Sequence, residues 1–248
     1  MKLFDAHFHI INPQFPLVEN NGYLPPEFVT KDYLQATSAY ELVGGAVVSG
    51  SFQAFDQDYL IDTLSTLGDG FVGVANIPHT MSELELALLN KANVVAVRFN
   101  VKRGGSEKLE HIEQLSNKLY EEYGWHTELY IDSKDLKELK PVLQNIPKFS
   151  IDHLGLSKEG LDDLYFWVDK GVKIKATGFG RINFDPISVM KRIHQINPHA
   201  LLFGTDLPST RATVPFSDKD VQLVSDNFST DDLEKIMYKN AEAWYHRT

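Results

Sequence analysis

Short apolar runs recur along the chain, and between them lie longer stretches in which apolar positions return every three or four residues. The runs are Leu3 to His9, Gly45 to Ser51, Phe71 to Ile77, Val94 to Asn100, Thr127 to Asp132, Phe149 to His153, Val172 to Ala176 and Leu201 to Gly204. They are rich in Val, Ile, Leu and Phe and too short for helices, so they read as strands covered on both faces. The stretches between them read as amphipathic helices. Ser82 to Lys91 follows Thr80, a candidate cap, and Ser133 to Ile146 opens with Ser-Lys-Asp-Leu before a helical apolar pattern. Gly105 to Tyr123 carries Leu109, Ile112, Leu115 and Leu119 on one helical face, and Leu161, Leu164 and Val168 repeat the spacing. After the last strand come Val221 to Phe228 and Thr230 to His246.

A strand–helix alternation of this kind, repeated to the end of the chain, predicts an α/β fold. It fits a (β/α)8 TIM barrel occupying residues 1–248 as a single domain better than an open doubly wound sheet. No repeat or low-complexity linker divides the chain. Ile11 to Thr30 is irregular and carries Pro13, Pro16, Pro25 and Pro26, as expected of a loop covering the active face after the first strand. Gly44-Gly45, Gly104-Gly105 and Gly178-Phe179-Gly180 lack the spacing and the Lys-Ser/Thr of a phosphate loop and read as turns at strand boundaries. Tyr238, Trp244 and Tyr245 read as packing of the last helix.

Composition narrows the function. The 248 residues include 24 basic and 34 acidic side chains, a net charge of −10, which argues against nucleic acid as a partner. There is no cysteine, so disulfides, thiol nucleophiles, cysteine zinc sites and iron–sulfur clusters are excluded. No window of about 18 apolar residues offers a membrane span. Met1-Lys2-Leu3-Phe4-Asp5 meets an acid too early for a signal peptide, and a cytoplasmic protein is expected.

Barrel enzymes work at the C-terminal ends of their strands. The first run ends in Asp5-Ala6-His7-Phe8-His9, and strand alternation puts His7 and His9 on one face. The sixth ends in Asp152-His153-Leu154-Gly155 and the eighth in Gly204-Thr205-Asp206. Singly, each is an ordinary polar strand end. Together, His7, His9, His153 and Asp206 would converge on one point. They could hold a zinc-like ion, or polarise a carbonyl directly while Asp206 takes a proton from water. His79, His111, His126, His194, His199 and His246 fall mostly on helices or loops in this reading, as surface or local structural histidines. Six arginines occur, and Arg98, Arg103, Arg181 and Arg211 fall at or just beyond strand ends, whereas Arg192 and Arg247 do not. Guanidinium forks suit planar carboxylates, although Arg98 could instead be a buried ion-pair partner.

Phe4-Asp5-Ala6-His7-Phe8-His9, Ala96-Val97-Arg98-Phe99-Asn100, Ile151-Asp152-His153-Leu154-Gly155, Lys175-Ala176-Thr177-Gly178 with Arg181, Phe203-Gly204-Thr205-Asp206 and Asn240-Ala241-Glu242 carry a resemblance. Over essentially its whole length the chain resembles the amidohydrolase superfamily, in the branch of 2-pyrone-4,6-dicarboxylate hydrolase and sugar-acid lactonases. The resemblance implies that His7, His9 and His153 surround a scissile carbonyl and that Asp206 activates water. It implies that Arg98, Arg103 and Arg181 grip substrate carboxylates and that Tyr23 and Tyr130 line the pocket. Leu156 stands where the dicarboxylate hydrolase has a further arginine, and the stretch from Arg98 to Arg103 looks one residue shorter. The same dicarboxylate is therefore not implied.

Many amidohydrolases add a histidine or modified lysine from strand four or five, where this chain has Arg98 and Tyr130. The resembling hydrolase works without metal, and some relatives bind one zinc. The expectation is hydrolysis of a carboxylate-bearing lactone or cyclic ester with no cofactor required. The alternative is a single divalent metal, zinc foremost, held by His7, His9, His153 and Asp206. A zinc-dependent decarboxylase or amide hydrolase, and a non-catalytic sensor of a small acid, are the competing functions. The expected partner is a small carboxylate-bearing substrate, with neither nucleic acid nor membrane, and a homo-oligomer is compatible with the pattern.

Overall fold

In a computed structural model that describes residues 1–246, the apolar runs form eight parallel strands joined in sequence order. They are β1 (Lys2–Phe8), β2 (Glu41–Val48), β3 (Phe71–Ala75), β4 (Val94–Asn100), β5 (His126–Tyr130), β6 (Phe149–Ile151), β7 (Lys173–Ala176) and β8 (Leu201–Phe203). Helices α1 (Thr30–Ala36), α2 (Asp58–Leu67), α3 (Glu83–Lys91), α4 (Ile112–Tyr123), α5 (Leu136–Leu143), α6 (Leu161–Asp169) and α7 (Pro186–Ile196) connect successive strands. After β8 come α8 (Asp218–Ser225), α9 (Thr230–Glu234) and, past a π-helical turn, α10 (Asn240–Tyr245). The TIM barrel expected from the alternation is the fold observed. Strands β3, β4 and β5 are buried along their whole length, as strands covered on both faces are, the polar side chains of β4 and β5 included. Among the described residues no helix is long and apolar enough to cross a membrane.

Between β1 and β8 the joining bonds come mainly from residues just past the strand ends. The His9 N–H donates to the Leu207 carbonyl at 2.8 Å, and the Asp206 N–H donates to the His7 carbonyl at 2.7 Å. Below them the buried Asp5 carboxylate of β1 accepts from the Thr205 N–H at 2.8 Å and the Thr205 hydroxyl at 2.7 Å. Tyr33 of α1 adds its hydroxyl to the same carboxylate at 3.2 Å.

Several local expectations are corrected. Strands β1, β2, β3, β5, β6 and β8 stop one to three residues early, because the chain leaves the ladder where polar side chains turn into the mouth. Gly44 and Gly45 are not a turn; they lie inside β2. A Cβ on Gly44 would meet the Gly70 carbonyl at 2.3 Å and the Phe4 ring at 2.7 Å, so aromatic packing from β1 occupies the space of a side chain. Gly104 and Gly105 do form a turn, with φ of +68° and +75°. Ser82, not Thr80, caps α3, accepting from the Glu85 N–H while Glu85 reaches back to the Ser82 N–H. The long first loop is pinned over the mouth. Ile11 bridges to Phe28, Val18 bonds Phe52, and Asn20 accepts from Arg211.

Candidate active site

A narrow cleft of about 40 Å³ opens at the C-terminal strand ends, lined by His9, Tyr23, Arg98, Arg103, Tyr130, His153, Arg181 and Asp206. These are the residues expected to form the site, except His7, which packs against the cleft histidines. The His7 ring lies 5.0 Å from that of His9 and 4.9 Å from that of His153, centroid to centroid. Asp206 Oδ1 stands 3.9 Å from the Nε2 atoms of both His7 and His9. His7 Nε2 and Asp206 Oδ1 are buried and make no hydrogen bond among the described residues. Such atoms are rare in folded proteins and mark a place prepared for something else.

Backbone and side-chain partners fix the orientation. His9 Nδ1 lies 2.7 Å from the Val48 carbonyl, which only accepts, so this nitrogen carries the proton and Nε2 presents a lone pair. Burial, helped by the Arg98 charge, lowers the His9 pKa to about 3 and keeps the ring neutral. Burial likewise pushes His7 and His153 well below the ordinary histidine value. Asp206 Oδ2 accepts from Arg181 Nε at 2.6 Å, and the guanidinium also donates to the Thr210 carbonyl at 2.8 Å. Burial raises the Asp206 pKa further than Arg181 lowers it, giving a more basic carboxylate. Asp206 and His153 hold left-handed backbone, with φ of 59° and 50°, which is uncommon for residues with a side chain.

Arg98 is the buried ion-pair partner that its place on a strand allowed. It lines the cleft, yet it donates to Asp152 Oδ2 at 3.0 Å and to the Ser49 carbonyl at 2.8 Å. Arg103 donates from Nε to the Tyr130 hydroxyl at 3.2 Å. Arg211, placed at a strand end by the sequence but given no role there, lines the cleft with its guanidinium 4.5 Å from the Tyr23 ring centre. Arg247 lies outside the described residues.

The chain matches the amidohydrolase family over residues 4–247. It belongs to that family. Its relatives include a 2-pyrone-4,6-dicarboxylate hydrolase of Comamonas testosteroni, 26% identical over 82% of this chain and 76% of the relative. A 4-sulfomuconolactone hydrolase of Rhizobium radiobacter is 25% identical over 83% of this chain and 75% of the relative. Among solved structures, a probable 2-pyrone-4,6-dicarboxylic acid hydrolase of Acinetobacter baumannii with citric acid bound superposes with a TM-score of 0.83. It shares 22% identity, with 99% of each chain covered, and so supports the fold.

Beneath the cleft, this amidohydrolase carries a second polar layer that sequence reasoning missed. Lys175 of β7 is fully buried and pairs with Glu128 of β5. Its Nζ also lies 3.4 Å from His7 Nδ1 and 3.8 Å from Asp152 Oδ1. The Tyr245 hydroxyl donates to Glu128 at 2.7 Å, so Tyr245 does more than pack the last helix. Burial alone would raise Glu128 and Asp152. Lys175 and His126 together overcome it for Glu128, and Arg98, Lys175 and His153 together overcome it for Asp152, so both pKa values fall. His126 is corrected as well: it sits on β5, buried, and accepts from Trp244 Nε1 at 3.0 Å. A signal was present, since a lysine and a glutamate inside apolar strand runs need partners.

The upper layer is also a candidate cation site. His7, His153 and Asp206 each offer a ligand atom within 4.8 Å of the others. Two imidazoles, a carboxylate and the adjacent His9 form a donor set of zinc type, and the unbonded His7 Nε2 and Asp206 Oδ1 fit such an ion.

Proposed function

We propose that this amidohydrolase hydrolyses a lactone or related cyclic ester bearing at least one carboxylate. The observation that carries the reading is Asp206 Oδ1, buried without a hydrogen bond and 3.9 Å from two histidine nitrogens, beneath a cleft lined by four arginines. Asp206 takes a proton from water, and the oxygen attacks the carbonyl carbon. The carbonyl electron pair moves onto its oxygen. When it returns, the ring C–O bond breaks, and the leaving oxygen recovers the proton from Asp206.

The histidines divide the remaining work. His9 Nε2 accepts, and so aligns the attacking water. Lys175 and the Thr177 hydroxyl can donate to the Nδ1 atoms of His7 and His153, at 3.4 Å and 2.7 Å. In that arrangement both Nε2 atoms carry hydrogens and donate to the developing oxyanion. Arg98, Arg103 and Arg181 orient the substrate carboxylate, and Tyr23 and Tyr130 close the walls. The names of the lactone-hydrolysing relatives support an anionic cyclic ester.

The opposite tautomers, with His7 Nδ1–H directed at Asp152 Oδ1 3.4 Å away, would leave lone pairs on the cleft side. His7, His9, His153 and Asp206 would then hold a single zinc-like ion, which supplies Lewis-acid polarisation of the carbonyl. This donor set keeps a zinc-dependent decarboxylase or amide hydrolase as the second reading. The lactonase reading requires no metal, because the Nε2–H groups of His7 and His153 would polarise the carbonyl directly. A lactone panel assayed before and after exhaustive chelation tests it. Turnover should persist, and loss with rescue by zinc would move the assignment to the metal reading.

A further inference from the structure

A second group of metal-type side chains stands on the rim, outside the cleft. His79 follows β3, whereas Glu107 and His111 belong to the segment between β4 and α4. Glu107 is held firmly for a loop residue, with a side chain only 8% exposed. Its Oε2 accepts from the His79 backbone N–H at 2.6 Å and lies 2.8 Å from His79 Nδ1. Its Oε1 accepts from the Lys108 N–H at 2.7 Å. The His111 ring stacks on that of His79, with centroids 3.7 Å apart and planes 20° from parallel. One ligand atom from each of the three lies within 4.8 Å of the other two.

We propose that His79, Glu107 and His111 form a second metal site, for a transition-metal dication of the zinc class. Two imidazoles and one carboxylate are a zinc donor set, and tetrahedral ligands at zinc distances lie roughly 3.3 Å apart. The 2.8 Å contact must open slightly and the wider ones must close. Torsions of the His79 and His111 side chains, 43% and 26% exposed, can supply both adjustments without moving a strand. The carboxylate is already desolvated and fixed by backbone donors, so little ordering remains to be done on binding. The stacked rings must turn out of parallel so that both lone pairs meet one ion, and the neutral ring is the form that binds metal. Nitrogen-rich ligation of this kind favours zinc, copper, nickel or cobalt over magnesium and calcium. A water completes the fourth position.

The site would also fasten two loops of the rim. Glu107 lies in the same turn as Arg103, and a Cβ on the intervening Gly105 would meet Ser51 at 2.7 Å and the Asn20 side chain at 3.2 Å. A metal bound here therefore braces the turn that carries a cleft arginine. Nothing in this inference depends on the reaction assigned to the cleft.

The test is zinc titration of the chelated and dialysed protein by calorimetry, with bound metal counted after gel filtration. The wild type should take up one more equivalent than the His79→Ala/His111→Ala protein. Each single substitution should weaken that equivalent by at least the roughly 10–100-fold that loss of an outer-sphere partner costs. The count is repeated in an Asp206→Asn background, so that zinc in the cleft cannot mask the rim. If the double substitution disturbs folding, Glu107→Gln keeps an acceptor for the backbone donors and removes the charge. Equal stoichiometry and affinity in the wild type and the variants would overturn the site.

Discussion

Two polar layers share the barrel interior, equally buried and chemically opposite. In the lower one Lys175 and the Tyr245 hydroxyl both meet Glu128, and Asp152 Oδ1, though it makes no hydrogen bond among the described residues, lies 3.8 Å from the Lys175 ammonium. In the upper one the His9 Nε2 lone pair faces Asp206 Oδ1, and two acceptors stand 3.9 Å apart. Burial does not separate the scaffold from the site. Complementarity does. A buried pair of opposite sign is finished when the chain folds, whereas a buried pair of acceptors is finished only when a proton donor, cation or substrate joins it.

The sharpest way to break this contrast is Asp206→Asn, which removes the base and keeps the shape. The turnover number should fall roughly 10²–10⁴-fold in a protein that still folds, with a lowered melting temperature because Arg181 loses its charged partner. Full turnover would return Asp206 to the scaffold. Lys175→Met attacks the other layer and leaves Glu128 uncompensated, at an expected stability loss of about 3–5 kcal/mol in denaturant melts. Lys175→Met/Glu128→Leu should recover much of that loss; an equal loss in both would show that the pairing is not what the lower layer contributes.

Asp5 tests the seam through pH. Burial lifts its pKa to about 6 against the pull of the Thr205, His7 and Tyr33 donors. The folded state therefore holds this proton more tightly than the unfolded chain does. Its contribution is complete below the unfolded value near 4 and is lost as pH rises through 6, a span of about 3 kcal/mol. The stability difference between wild type and Asp5→Asn, followed from pH 4 to 7, should drift by that order and in that direction. The smallest effect is expected at the rim. Arg103→Ala should raise KM roughly tenfold with the turnover number nearly unchanged, the signature of a lost charged contact made equally in ground and transition states.

Much of this arrangement was legible in the sequence. Strand β3 and the first half of β4 announce themselves by apolar runs, and His7, His9, His153 and Asp206 by their places at strand ends. The shortened strand ends were not legible, because leaving a ladder depends on what the next side chain must reach. Gly44 and Gly45 looked like a turn because glycine's commonest use is local; here it makes room for rings from a neighbouring strand. The pairing of Lys175 with Glu128 links residues 47 apart on strands that are not neighbours in the sheet. Only ring closure brings them together. His79 and His111 were read as surface or local structural histidines for the same reason: positions on separate connecting segments have no periodicity to betray a meeting.

The seam between β1 and β8 has a further consequence. The N–H groups of His9 and Asp206, and the carbonyl of His7, are the bonds that fasten the ring. If His9 and Asp206 act as proposed, opening the seam would displace them together, so activity on warming should be lost no later than the barrel opens.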